Sequence, residues 1–159
     1  MTIDFYNRFI RQNAGIINKI CRAYTDTEED YEDYFQEVCL QLWRSHSFFE
    51  DKSAVSTWVY RVALNVCLTY FKQEKKRPKT AALQELSMAA TETDTAEVEQ
   101  LQALYTAIKQ LKEIDRAIII LYLEDKSYKE IADILGIKVN HVGVKVNRIK
   151  NTLKQLIHG

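Results

Sequence analysis

A single proline and four glycines leave this chain few places to turn sharply. Hairpin corners depend on those residues, so a protein of many short strands is excluded and long helices are favoured. No apolar run approaches the roughly 18 residues that a membrane-spanning helix needs. The N-terminus, MTIDFYNRF, has no signal-peptide core. The expected location is therefore the cytoplasm. Cysteine is scarce as well. Cys21, Cys39 and Cys67 stand far apart, no pair has metal-ligand spacing, and an odd number makes a poor disulfide framework. Each falls among apolar helical positions, where a reduced, buried thiol is expected. His46, His141 and His158 form no cluster. Internal repeats, a Gly-rich phosphate loop and a catalytic constellation are all absent, so neither a cofactor nor a metal is expected and the chain does not read as an enzyme.

Net charge is absent too, at +0, which at first argues against a nucleic-acid partner. The distribution argues otherwise. Asp26, Glu28, Glu29, Asp30, Glu32, Asp33 and Glu37 form an acidic block with no base among them. Lys72, Lys75, Lys76, Arg77 and Lys79 form a basic block interrupted by Glu74. Residues 80–100 carry acids and no base, and the tail from Gly136 onward carries bases and no acid. Such segregation fits several partners of different sign.

What the chain does have is helical periodicity and a hydrophobic content of 47%. The stretch Ser127 to Leu156 is the most telling. Ser127 and Glu130 have capping-box spacing, and Ile131, Ala132 and Leu135 share one helical face. Gly136 supplies a stop, since only glycine takes a left-handed backbone without steric cost. A second helix begins near Asn140, with Val142, Val146, Ile149 and Leu153 as its buried stripe. Its other face carries His141, Val144, Lys145 and Arg148, flanked by Lys138, Asn140 and Lys150. A solvated basic face would look similar. The capping box, the Leu-Gly-Ile turn and the valines together favour a helix-turn-helix whose second helix enters the DNA major groove.

Upstream, residues 4–24 read as a helix with Phe5, Phe9, Ile16, Ile17, Ile20 and Tyr24 inward and Gly15 as a weak centre. Residues 30–45 read as a second helix with Tyr31, Tyr34, Phe35, Val38, Leu42 and Trp43 inward. Asp33, Gln36, Glu37, Leu40 and Gln41 lie on its polar face, whose exposed leucine suits docking, although spacing alone fits a solvated face equally well. A third helix, capped by Ser53, runs to about Lys76 before Pro78. Trp58 and Tyr70 share its valine stripe and read as core, whereas Tyr60 and Asn65 read as outward. Aromatics running into KQEKKRPK suit single-stranded nucleic acid, by stacking and phosphate attraction. Residues 79–95 read as an acidic linker. A fourth helix through Val98 to Leu111 follows, then an apolar helix opened by Asp115. The fold class is all-α, two small helical domains at 1–78 and 96–159.

With YEDYFQEVCLQLW at 31–43, STWVYRVALN at 56–65 leading into KKRP, and SYKEIADILGIKVNHVGVKVNRIKNTL at 127–153, the chain resembles a bacterial RNA polymerase sigma factor. The family is sigma-70, and the layout is that of the extracytoplasmic-function (ECF) group. The resemblance implies that Asp33, Gln36, Glu37, Leu40 and Gln41 dock on the β′ clamp helices of core polymerase. It implies that the C-terminal domain meets the β flap. It assigns minus-ten recognition and melting to Phe49, Trp58, Tyr60, Arg61 and Asn65, with Lys72, Lys75, Lys76 and Arg77 on the backbone. It assigns minus-thirty-five recognition to Lys138, Asn140, His141, Val144, Lys145, Arg148 and Lys150. The acidic linker would mimic RNA near its exit path, and an anti-sigma factor would hold the factor inactive. The free chain would be a monomer. Three positions depart from the family's usual residues. Lys112 follows Leu111 where proline is common, Leu64 stands for an arginine, and Gly143-Val144 replaces a Lys-Ser pair. A different reading of the same residues is a stand-alone helix-turn-helix repressor or activator, which needs a dimer and a palindromic site.

Overall fold

The structure, a computed structural model, describes residues 2–49, 54–75 and 95–159. It is all-α, and no strand occurs among the described residues. The chain divides into two compact units, Met1–Glu85 and Leu86–Gly159.

The first unit is built on α2 (Ala14–Ala23), α3 (Glu28–Ser45) and α4 (Val55–Lys75), each packed on the other two. Ile17, Ile20, Cys21, Val38, Leu42, Val59, Ala63 and Cys67 are fully buried at their junction. Each large apolar side chain there contributes about 1.5–3 kcal/mol by leaving water. The helix expected at 4–24 is not continuous. It opens as α1 (Ile3–Phe5), widens to a π-turn at Tyr6–Ile10, tightens to a 3₁₀-turn at Arg11–Asn13, and only then becomes α2. Gly15, the expected weak point, is not the cause. The wide turn lies where Phe5, Phe9 and the adjacent Ile10 are all buried, and π-turns of this kind bend a helix locally. Asn13 repairs the ladder by donating from Nδ2 to the Phe9 carbonyl at 3.1 Å. Helix α3 starts at Glu28 rather than 30, because Thr27 Oγ1 accepts from the Asp30 amide at 3.1 Å. Ser53 lies outside the described residues.

The second unit holds α5 (Thr95–Ile108), α6 (Glu113–Leu123), α7 (Tyr128–Leu135) and α8 (Val139–His158). Helix α5 begins at Thr95, the last residue of the expected linker; residues 79–94 lie outside those described. Helix α6 starts at Glu113, two residues before Asp115, and buries Ile118, Ile119, Ile120 and Leu121 in succession. Its N-cap, Lys112, has φ −64°, the angle that a proline ring would impose. Arg116 is buried at the start of α6, and its guanidinium donates to the Leu111 carbonyl at 3.0 Å and to the Lys109 carbonyl. A fixed positive charge thus ties down the turn just beyond the C-terminal end of α5, where the helix dipole favours it.

The helix-turn-helix forms as expected. Ser127 and Glu130 exchange both capping-box hydrogen bonds at 3.1 Å. Gly136 is left-handed, φ 70°, and its amide donates to the Ala132 carbonyl at 2.8 Å. Val142, Val146, Ile149 and Leu153 are all buried. On α7 the third buried residue is Ile134, whereas Leu135 is only half-buried. The cysteines are reduced; Cys21 and Cys67 are buried and Cys39 is half-buried.

Candidate polymerase and nucleic-acid interfaces

On α3 the buried stripe of Tyr34, Val38 and Leu42 turns the opposite face outward. Asp33 and Gln36 are exposed, Leu40 is 39% exposed, and Glu37 and Gln41 are half-buried. The Gln41 amide donates to Glu37 Oε1 at 3.1 Å, one turn apart, so the acid is held in place. Glu37 and Gln41 also line a groove of about 280 Å³ between α3 and α4. Its other walls include Asn65, Val66, Thr69 and Tyr70. Residues taken from two expected sites, Glu37 and Asn65, thus meet on one surface. Partial burial, with the Glu37 carboxylate beside it, holds the Tyr70 phenol above its ordinary range.

The aromatic end of this unit assembles what the sequence scattered. Phe49 lies 5.3 Å from Trp58, and Phe9 lies 6.0 Å and 5.3 Å from those two rings. Trp43 stacks on His46 at 4.8 Å, and Phe5 meets both. The Arg8 guanidinium sits 5.1 Å from the Phe9 ring and 5.6 Å from Phe49, a cation over aromatic faces. Trp58 and Phe49 remain partly exposed, and neighbouring Phe48 is 80% exposed. Two expectations for α4 are corrected here. Tyr60, read as outward, is only 8% exposed, and Trp58, read as core, sits at the edge. Helix α4 is wedged between α2 and α3 and buries a wide arc that takes in Val59, Tyr60, Ala63 and Leu64 together. That arc also accounts for Leu64 in place of a cation. Asn65, Lys72 and Lys75 are exposed and Arg61 is half-buried, while Lys76 and Arg77 lie outside the described residues.

In the second unit α8 presents Lys138, Asn140, His141, Val144 and Arg148 to solvent. Two further predicted contacts turn sideways. Lys145 Nζ lies 3.3 Å from Asp115 Oδ1. The Lys150 ammonium lies 4.6 Å over the Tyr122 ring, and a hydrogen bond with that tyrosine raises its pKa. Gly143 is not on the open face either. A Cβ there would stand 3.4 Å from Tyr128 Cε2, so the glycine seats the tyrosine that opens α7. Among the described residues no group of three His, Cys, Asp or Glu side chains is arranged to hold a metal ion. No helix among them is long and apolar enough to cross a membrane.

The family model for sigma-70 region 2 matches residues 9–77, and that for sigma-70 region 4 matches residues 101–153. This chain belongs to the sigma-70 family. Its relatives place it in the ECF group. It is 27% identical to the ECF RNA polymerase sigma factor SigM of Mycobacterium tuberculosis, over 96% of this chain and 76% of the relative. It is 26% identical to the ECF RNA polymerase sigma-E factor of Haemophilus influenzae, over 95% of this chain and 84% of the relative. The fold matches that of sigma factor RpoE, solved with the anti-sigma factor NepR from Bartonella quintana. The TM-score is 0.74 at 19% identity, covering 94% of this chain and 96% of that one. It also matches CnrH, solved with the cytosolic domain of CnrY, with TM-score 0.70 at 18% identity, over 96% and 87%.

A sigma factor is a transcription initiation factor, which is the role of this chain, and the family is not an enzyme class. In this sigma factor Arg8, Phe9 and His46 were missed as members of the aromatic cluster that holds Phe49 and Trp58. The sequence held only one faint sign, an aromatic excess near both Phe5 and Phe49, because the contact joins segments some forty residues apart.

Proposed function

We propose that this sigma factor binds core RNA polymerase through the α3 face of Asp33, Gln36, Glu37, Leu40 and Gln41. The β′ clamp helices are the partner for that face, and the β flap is the partner for the second unit. Phe49, Trp58, Arg61 and Asn65, with Lys72 and Lys75 for phosphates, then recognise and open the minus-ten element. Tyr60 acts from within, as support for that surface. Helix α8 reads the minus-thirty-five element. The domain limits follow, 1–78 for the first task and 96–159 for the second. The factor works in the cytoplasm, is monomeric when free, and is held by an anti-sigma factor.

The observation that carries this reading is the state of the two outward helix faces. On α3 an exposed leucine sits among acids and amides, with Glu37 fixed by Gln41. On α8 an exposed apolar and basic face stands over a fully buried valine stripe. The first suits a protein surface and the second a major groove. Melting has a local source as well. Taking a base from the stack costs a few kcal/mol, and exposed aromatic edges at Phe49 and Trp58 offset it by stacking.

The test is capture of purified core polymerase by the chain, comparing wild type with a Glu37→Lys, Gln41→Ala double variant. Binding by wild type that the double variant weakens at least tenfold supports the docking face. Folded wild type that fails to bind core polymerase refutes it and favours a stand-alone helix-turn-helix regulator.

A further inference from the structure

One exposed row on α8 includes two residues, Asn147 and Asn151, outside the expected recognition set. Asn140, Val144, Asn147 and Asn151 are spaced by four, three and four residues, so they align along one helical stripe, and all are exposed. Arg148 lies beside the row and is exposed too. Two of the cations nearby face elsewhere: Lys145 pairs with Asp115 at 3.3 Å, and Lys150 lies over Tyr122. The centre of the stripe is therefore amide and methyl rather than ammonium.

Asparagine is a poor choice for a plain solvated helix surface. Its short side chain competes with the backbone and lowers helix propensity against Ala, Lys or Gln. The Asn140, Asn147 and Asn151 amides form no hydrogen bond among the described residues that would repay this. A carboxamide does have a matching target in the major groove. It donates to N7 and accepts from N6 of adenine in one bidentate pair, while guanine presents two acceptors and calls for Arg or Lys. An aliphatic methyl has its own target in the thymine C5-methyl. The stripe carries both chemistries, three carboxamides and one aliphatic side chain.

We propose that this row reads adenine–thymine pairs, with Asn147 as the residue that sets the preference. Its carboxamide pairs with an adenine edge, and Val144, one turn nearer the helix N-terminus, packs on the methyl of a neighbouring thymine. Asn140 extends the contact toward the turn, and Arg148 serves the phosphate beside it. The proposal rests on the reading that α8 enters the major groove of the upstream element. It goes further by naming the base pairs and the discriminating residue.

The experiment uses the full chain bound to core polymerase. Holoenzyme is selected against duplex templates randomised across the upstream element, for wild type, Asn147→Ala and, as an exposed control off the row, Gln155→Ala. Wild type should enrich A·T at two adjacent positions. Asn147→Ala should lower the preference at one of them about tenfold, the size expected for one lost bidentate pair, and leave the other intact. Placing 7-deazaadenine at the affected position should weaken wild type and leave Asn147→Ala unchanged, since the acceptor removed is the one the amide uses. Gln155→Ala should match wild type throughout. An Asn147→Ala profile identical to wild type overturns the proposal while leaving α8 as the reader. G·C enrichment at both positions overturns it as well. A wild-type holoenzyme with no upstream preference overturns both the proposal and the reading beneath it. Folding does not confound the comparison, because Ala at an exposed helical position favours the helix.

Discussion

Gly136 and Gly143 lie in the same helix-turn-helix, and the same substitution to alanine should move stability in opposite directions. Gly136 has φ 70°, and nothing stands within 4 Å of a Cβ built on it. The cost of alanine there is conformational alone, roughly 1–2 kcal/mol for a left-handed L residue. About 0.4–1 kcal/mol returns through the stiffer unfolded chain, leaving a net loss near 1 kcal/mol. Gly143 sits inside α8 with ordinary helical geometry. Alanine there gains about 1 kcal/mol of helix propensity. Its Cβ would meet Tyr128 Cε2 at 3.4 Å and Cδ2 at 3.6 Å, a close contact with a partly exposed ring that is free to yield. The expected result is neutral to about 1 kcal/mol more stable. For a unit of this size each kcal/mol moves Tm by about 4–8 °C. Calorimetry on the full chain should show the transition of the second unit falling in Gly136→Ala and holding or rising in Gly143→Ala. Equal destabilisation by both would refute the reasoning, since it would mean that Tyr128 cannot give way and that glycine is required at 143 for packing.

Lys112→Pro should raise the same transition by about 0.4–1 kcal/mol, because φ is already −64° and the substitution only restricts the unfolded chain; a lower Tm would sink this. Burial pushes the Cys39 thiol up to about 11, and a hydrogen bond with Cys21, together with burial, raises Cys67, so thiolate is scarce at pH 8 for these two. A colourimetric thiol reagent should label the native chain slowly and all three cysteines at once on unfolding; rapid native labelling would contradict the packing. The Glu130 carboxyl is held below its ordinary value of 4.5 by hydrogen bonds from Ser127. A lowered folded pKa stabilises above the ordinary value and the gain disappears as pH falls through the folded one. Acid unfolding should therefore begin at higher pH in Ser127→Ala than in wild type, and identical acid profiles would speak against the capping box.

How much of this was legible beforehand depended on range. The sequence by itself determined the helices, the turn at Gly136, the capping box and the buried stripe of α8. Each rests on contacts within about four residues, where spacing along the chain is spacing in space. The outward face of α3 was legible for the same reason, since the buried stripe of Tyr34, Val38 and Leu42 fixes what remains outside. The tertiary structure alone decided which outward residues are available. Tyr60 and Trp58 exchanged their expected places because α4 serves two neighbours at once, and no local pattern counts neighbours. The π-turn at Tyr6–Ile10, where Phe9 and Ile10 are both buried, has no counterpart in the local sequence pattern. Lys145 and Lys150 were counted with the DNA face, yet Asp115 and Tyr122, brought over by α6, draw them aside. Local periodicity sets which way a side chain leaves its helix; only the packing of distant helices sets what it finds there.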